Sequence, residues 1–327
     1  MMRRLHRAKS IAAACIAAWA LVACGGGSDN DVTGNAGGVS GTSTPATNTG
    51  FSGQDASAPA VTNNIATDGL NWINYRRAQV GMSALARNSL IDNAAQGHSD
   101  YQRINNNVTH EQTAGRQGFT GVNLQDRLAA ANYVLRPSNA IGEVISAANK
   151  GTGFYMAEEL ITAIYHRFVI FEPVFKEAGA GAATTSAGYS YFTADFAASN
   201  GFGPGLAAGS LAVWPVNGQT QVPPNFFSNY EEPDPVPDLN EVGYPVSVHT
   251  NLTRKLTVRS FTMRARGATA DLSTRLLVKG QDANTTTDSA AAIVPLAPLA
   301  ARTTYDVTFN GAIDGTAVSR TWSFTTK

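Results

Sequence analysis

Between residues 158 and 183 the chain reads EELITAIYHRFVIFEPVFKEAGAGAA, and the spacing of its apolar positions predicts a helix followed by a strand. Taken as helical, 158–168 sets Leu160, Ile161, Ile164, Tyr165 and Phe168 on one stripe, because residues three and four apart share a face. His166 then falls on the other side, with Glu159, Thr162 and Ala163. Phe171-Glu172-Pro173 ends the helix, since proline has no amide hydrogen and pushes its predecessor out of the helical region. The small-residue run Ala178 to Ala183 follows as a strand. Two readings of His166 stand at this point: a solvated surface histidine, or a group offered to a cleft.

The same spacing places three helices upstream. Thr67 or Asp68 caps the first, which runs through Leu70, Ile73 and Arg77 to Gly81. The second, about 88–104, carries Leu90, Ala94, His98 and Tyr101 at steps of four, four and three, so His98 reads as a hydrogen-bonded, partly buried histidine. The third, about 124–133, stops before Pro137. Residues 140–146 read as a short strand in which Glu143 sits among Ile141, Val144 and Ile145; a carboxylate there needs a partner, because burying one unpaired is expensive. Alternation over 189–194 marks a further strand.

Beyond residue 200 the pattern changes twice. Pro223, Pro224, Pro233, Pro235 and Pro237, interleaved with Glu231, Glu232 and Asp234, predict an extended linker over 201–242 with little to pack against, and hence two independently folding domains. From 243 the text turns to short β runs at 244–249, 256–264, 275–279, 304–309 and 318–325, with turn signals at Asn310-Gly311 and Asp314-Gly315. Tyr305, Val307, Trp322 and Phe324 are the expected core, and His249 is a strand residue with no chemistry assigned.

The first 23 residues are a targeting segment, with Arg3, Arg4, Arg7 and Lys9 before an apolar run too short for a confident membrane span. Leu21-Val22-Ala23-Cys24 resembles a bacterial lipobox, which implies cleavage before Cys24 and acylation of its thiol. Gly25 follows where aspartate would signal inner-membrane retention, so the resemblance points to the outer membrane. Residues 24–66 are Gly, Ser, Thr, Asn and Asp rich and read as a flexible stalk. Removing the four basic residues of the leader leaves 20 against 24 acidic, a net charge of −4, which argues against a nucleic-acid partner. The chain has two cysteines, Cys15 in the leader and Cys24, so the folded domains hold no disulfide and no thiol nucleophile.

Asn74-Tyr75-Arg76 with Gly81 and Leu85, Ala94-Ala95-x-x-His98-x-Asp100, Thr109-His110, Gly142-Glu143, Tyr165-His166-Arg167 leading to Pro173, Gly179-x-Gly181 and Tyr191-Phe192-Thr193-x-Asp195-Phe196 together resemble the CAP superfamily, also called the SCP domain, over about 70–197. The resemblance implies a mixed α/β domain, a three-layer α-β-α sandwich, over 67–200. The runs around Pro295, Tyr305 and Trp322 resemble bacterial Ig-like domains, which implies an all-β sandwich over 243–327.

The resemblance also implies a cleft lined by two histidines and two acids. One histidine matches His110, an acid matches Glu143 and the second histidine matches His166. The fourth position fails, because Ala163 stands where relatives carry an acid or serine, and Glu159, on the face of His166, is roughly 10 Å along the axis from it. Val144 replaces a usual asparagine. His110, His166 and Glu143 would suit zinc with an open position, so the cofactor stays open between none and zinc. His110-Glu111 starts an H-E-x-x-H pattern that Ala114 breaks, and no G-x-S-x-G elbow or phosphate loop is present. Two functions remain: a non-catalytic, monomeric envelope lipoprotein whose cleft binds a lipid, sterol-like or polymeric ligand, or a metal-dependent hydrolase of peptide or cell-wall material using the same cleft. Replacing Cys24 by serine is expected to release the protein from membrane fractions and to remove the acyl mass from its N-terminal peptide. An unchanged membrane fraction would count against the lipobox.

Overall fold

A computed structural model describes residues 51–149 and 151–327. The leader, Cys24 and the stalk up to residue 50 lie outside the described residues. The first half of the described chain is mixed α/β: α1 (Ile65–Gln79), β1 (Ala86–Arg87), α2 (Ser89–Asn105), α3 (Leu124–Ala130), β2 (Ala140–Asn149), α4 (Gly153–Thr162), α5 (Ile164–Ile170), β3 (Glu177–Thr184) and β4 (Tyr189–Ala198). The sheet order is β1-β3-β4-β2, parallel between β1 and β3 and antiparallel elsewhere. Four of the five helices begin at a residue whose side-chain oxygen takes an orphan amide: Asn64, Asn88, Asn123, which forms a reciprocal capping box with Asp126, and Thr152.

Small residues in β3 set how closely the layers approach. A Cβ at Gly179 or Gly181 would run into the backbone of α2 at Ile91–Asp92 or Ala95–Gln96, so α2 lies directly on the strand. Ser99 of α2 donates to the Gly181 carbonyl and to Thr193 of β4. Phe192 of β4 closes against Gly69 of α1, and α1 packs on α4.

The helix expected over 158–168 is two helices. Ala163 leaves the helical region, at φ −66° and ψ 123°, and α5 restarts one residue later. The cause lies 67 residues away. The Glu231 carboxylate accepts the Ile164 and Tyr165 amides, each at 2.7 Å, and so caps α5 where Ala163 has no side chain to do it.

Glu231 belongs to the segment read as a spacer, and the structure corrects that reading. Residues 201–242 hold β5 (Ala212–Trp214), β6 (Gln219–Val222), β7 (Asn225–Phe227) and β8 (Glu241–Gly243). They are followed by β9 (Val246–His249), β10 (Leu256–Ala265), β11 (Thr274–Leu277), β12 (Ala290–Pro295), β13 (Thr304–Ile313) and β14 (Thr316–Thr326). The C-terminal region is therefore β-rich, with sheets ordered β10-β13-β14-β6 and β11-β12-β9-β5 and a β7-β8 pair. Two of the supposed linker strands are edges of the main sheets. Asp314-Gly315 makes the two-residue turn between β13 and β14, whereas Asn310-Gly311 lies inside β13, where Gly311 lets the Thr257 carbonyl come close.

The two regions also share a core. Trp214 is fully buried, edge-on to Phe171 with ring centres 5.5 Å apart, and the Arg76 guanidinium lies 5.2 Å over its ring. Arg167 donates to the Pro245 carbonyl at 2.8 Å and lies over Tyr244. The last part of the supposed stalk is tied down as well: Phe51 packs on Trp72, Ser52 donates to the Thr220 carbonyl and Gln219 donates to Ser52. The expectation of little packing at the connector came from proline and charge content, which says nothing about which edges those residues pair with.

Glu172 marks this junction. It accepts the amides of Val174 and of Leu252 from the β-rich region, and burial pushes its carboxyl from 4.5 up to about 7 despite those bonds and Arg77. A raised folded pKa means that this contribution to stability is whole below 4.5 and is lost as pH rises to about 7. Glu172→Gln, which keeps one acceptor, is expected to gain on the wild type as pH rises from 4.5 to 7 and to hold that gain above it, on the order of 3 kcal/mol. Urea denaturation at pH 5 and pH 8 measures this; an effect independent of pH would refute it.

Candidate functional site

Glu143 has the partner that its strand position demanded. On β2, with 3% of its surface exposed, it accepts His110 Nδ1–H on one oxygen at 2.7 Å and Arg127 Nη2–H on the other. Arg127, on α3 and fully buried, also donates to the His110 carbonyl at 2.8 Å, so one guanidinium holds both the acid and the loop that carries the histidine. Burial alone would raise the Glu143 carboxyl, but Arg127, with His98 and His110, outweighs it and holds the group well below the usual carboxylate range. His98 Nε2–H donates to the Thr109 carbonyl at 2.7 Å, and Nδ1 accepts from Gln112. Burial first, offset in part by Glu143, takes its pKa down to about 4, so it stays a neutral, hydrogen-bonded core histidine as its stripe position implied.

Asp195 sits directly across from Glu143 in the β2–β4 register. Both of its oxygens are buried with no partner among the described residues. Burial, and then the Glu143 charge, pushes its carboxyl well above the usual range.

His166 is not a surface residue. It is 6% exposed, and its Nδ1 lies 3.6 Å from Glu231 Oε1, beyond hydrogen-bonding distance. Burial lowers its pKa, against the pull of Glu231, and His110 is close enough to lower it further. The structure thus joins His110 to Glu143 and brings His110 into the surroundings of His166. The carboxylate that serves His166 is Glu231, not Glu143.

The helix face picked out by spacing, Glu159, Thr162, Ala163 and His166, does line a cavity, of about 350 Å³. Its other walls are β2 at 145–148 and residues from the β-rich region, among them Phe226, Tyr230 and Glu231. The surface of Glu159 is open to this cavity and its side chain makes no hydrogen bond or ion pair. The protein around it, and then Glu158, raise its pKa to about 7.

This donor set does not fit the zinc site. Both Glu143 oxygens are engaged, one by a cation that would repel a metal ion, and among the described residues no three His, Cys, Asp or Glu side chains are placed to hold one. A serine–histidine pair exists elsewhere, Ser247 Oγ to His249 Nε2 at 2.8 Å, but both are buried in β9 with the imidazole lowered to about 3 by burial. Arg127, Asp195 and Glu231 were missed as site residues. The need of Glu143 for a partner was readable, but nothing local marks Arg127 as the cation, and Glu231 was hidden in an apparent linker.

A model of the cysteine-rich secretory protein family (CAP) matches residues 70–196. Among solved structures, the chain is similar to an extracellular protein containing an SCP domain from Bacillus anthracis, at 20% identity over 43% of this chain and 44% of that one, with a TM-score of 0.34. It is also similar to an outer surface protein from Borrelia burgdorferi, at 11% identity over 40% of this chain and 90% of that one, with a TM-score of 0.34. The match thus spans less than half the length of the Bacillus anthracis protein. No curated protein matches the chain.

Removing either partner of the Glu143–Arg127 pair leaves a buried charge alone. Glu143→Gln and Arg127→Met are each expected to lose about 3–5 kcal/mol, and the double variant much less than their sum. Because the folded pKa of Glu143 is depressed, the stability it contributes is present above 4.5 and is lost as pH falls below it. Chemical denaturation of the four proteins at pH 7 and pH 3.5 reads both effects. Additive losses would mean that the pair does not act as a unit.

Proposed function

Residues 70–196 form a CAP domain of the cysteine-rich secretory protein family, and from that premise we propose a non-catalytic binding protein of the cell envelope that holds its ligand in the cleft between α4, β2 and residues 223–231. The cavity itself carries this reading: about 350 Å³, with apolar walls at Leu160, Ala163 and Phe226, and with His166 buried at its edge without a hydrogen bond. A concave, largely apolar site with a few unsatisfied polar groups is the usual form of a ligand site. The packing of α2 on one side of the sheet and of α1 and α4 on the other supports the three-layer α-β-α arrangement, and the paired four-stranded sheets support an Ig-like sandwich. Tethering through an acylated Cys24 to the outer membrane is the cellular setting that the leader supports. Among the described residues no helix is long and apolar enough to cross a membrane.

The hydrolase alternative finds less support. Ser146 and Thr162 line the cleft with His166, but neither hydroxyl bonds that imidazole, so no nucleophile stands with its base there among the described residues. Ala163→Phe fills the cleft from the α4–α5 junction. Native mass spectrometry of the protein isolated from its cells is expected to show a bound species that this variant lacks while keeping its cooperative unfolding. A species retained by the variant would place the ligand elsewhere and overturn the reading.

A further inference from the structure

β2 ends its sheet. All ten of its residues pair with β4 on one side, in one continuous register without a bulge. An edge strand turns the N–H and C=O of every second residue away from its partner. For 141–148 none of these outward groups has a hydrogen-bond partner among the described residues. Natural edges are protected by lysine, proline or bulges, and Ile145-Ser146-Ala147-Ala148 carries none of these. Nor is the stretch open to bulk water, since Ile145, Ser146 and Ala147 are buried and 145–148 forms a wall of the cleft. Buried backbone groups without partners are rare and call for one.

Building on the reading of this cleft as a binding site, we propose that its ligand is an extended peptide segment that adds to β2 at Ile145–Ala148 as a fifth strand and sets a basic side chain against Glu159. Four residues of strand run about 13 Å, enough to seat the middle of such a segment. The apolar walls at Leu160, Ala163 and Phe226 take alternate side chains. A lipid tail would leave the amides and carbonyls of β2 unmatched, which makes it the poorer fit. Three charged residues line the cleft. Glu231 is occupied by α5, and Lys327 is held by its backbone against Val222 at the β6 side. Glu159, on α4 beside β2, is free of partners and selects a cation.

The test uses the whole chain and three probes: a pool of acetylated, amidated hexapeptides randomised over Val, Thr, Ala and Tyr around a central lysine; the same pool N-methylated at alternate peptide nitrogens; and palmitate. Hydrogen exchange is expected to slow at 141–149 with the first pool and not with the methylated one, and Glu159→Gln is expected to weaken binding of the first pool about fivefold. Unchanged exchange at 141–149, or equal binding of the methylated pool, overturns the proposal. If palmitate protects the α4 wall while the peptides protect nothing, this proposal falls and the cleft reading stands. If no probe alters the cleft and Ala163→Phe retains the native bound species, both fall.

Discussion

The contact on which most of the site depends is a single buried carboxylate. Glu231, 1% exposed, lies across the first amides of α5 and stands 3.6 Å from His166. Four free amides and a positive dipole end make a helix start an anion site, and here the anion comes from a segment 67 residues further on. That one bond set explains why the helix breaks at Ala163, why His166 faces the cavity and why the cavity has a wall from outside the CAP domain.

Buried cations repeat the device. Arg76, Arg77, Arg127 and Arg167 are all inaccessible to solvent, and each is held by oxygen acceptors across a boundary between elements, a carboxylate for Arg76 and Arg127 and backbone carbonyls for Arg77 and Arg167. Arg76 forks onto Glu158, Arg77 donates to the last carbonyls of α5 at Ile170 and to Glu172, Arg127 clamps Glu143, and Arg167 reaches Pro245. With no cysteine beyond residue 24, such bonds and the ring contacts of Trp72 with Phe154 and of Trp214 with Phe171 do what disulfides do in many small secreted domains. Guanidinium suits this role because its planar fork can satisfy several acceptors at once.

The consequence for function is that the cleft is composite. Its floor and one wall come from β2 and α4, and its other wall from residues 223–231. The carboxylate missing at Ala163 is thus matched by one near His166 that arrives from elsewhere in the chain. Glu231 is at once a wall of the cleft and the cap of α5, so one carboxylate from the C-terminal region serves both.

Sequence determined what depends on local spacing. The helices α1 to α3, the strand carrying Glu143, the small-residue strand at 178–183 and the face shared by Glu159, Thr162, Ala163 and His166 were legible, because periodicity acts within a few residues. His98 was readable as a core histidine for the same reason. The start of α1 was not legible, since Asn64 caps it rather than Thr67 or Asp68, and the strand read over 189–194 runs on through Asp195 to Ala198. Tertiary structure alone decided the rest. Arg127 on Glu143, Asp195 opposite Glu143 and Glu231 on α5 are placements across 16, 52 and 67 residues that no local pattern encodes. Proline and acidic content predicted a linker at 201–242 because composition reports backbone stiffness and solvation. Which strand edge is left unpaired, and which segment comes to cover it, is set by sheet order and packing.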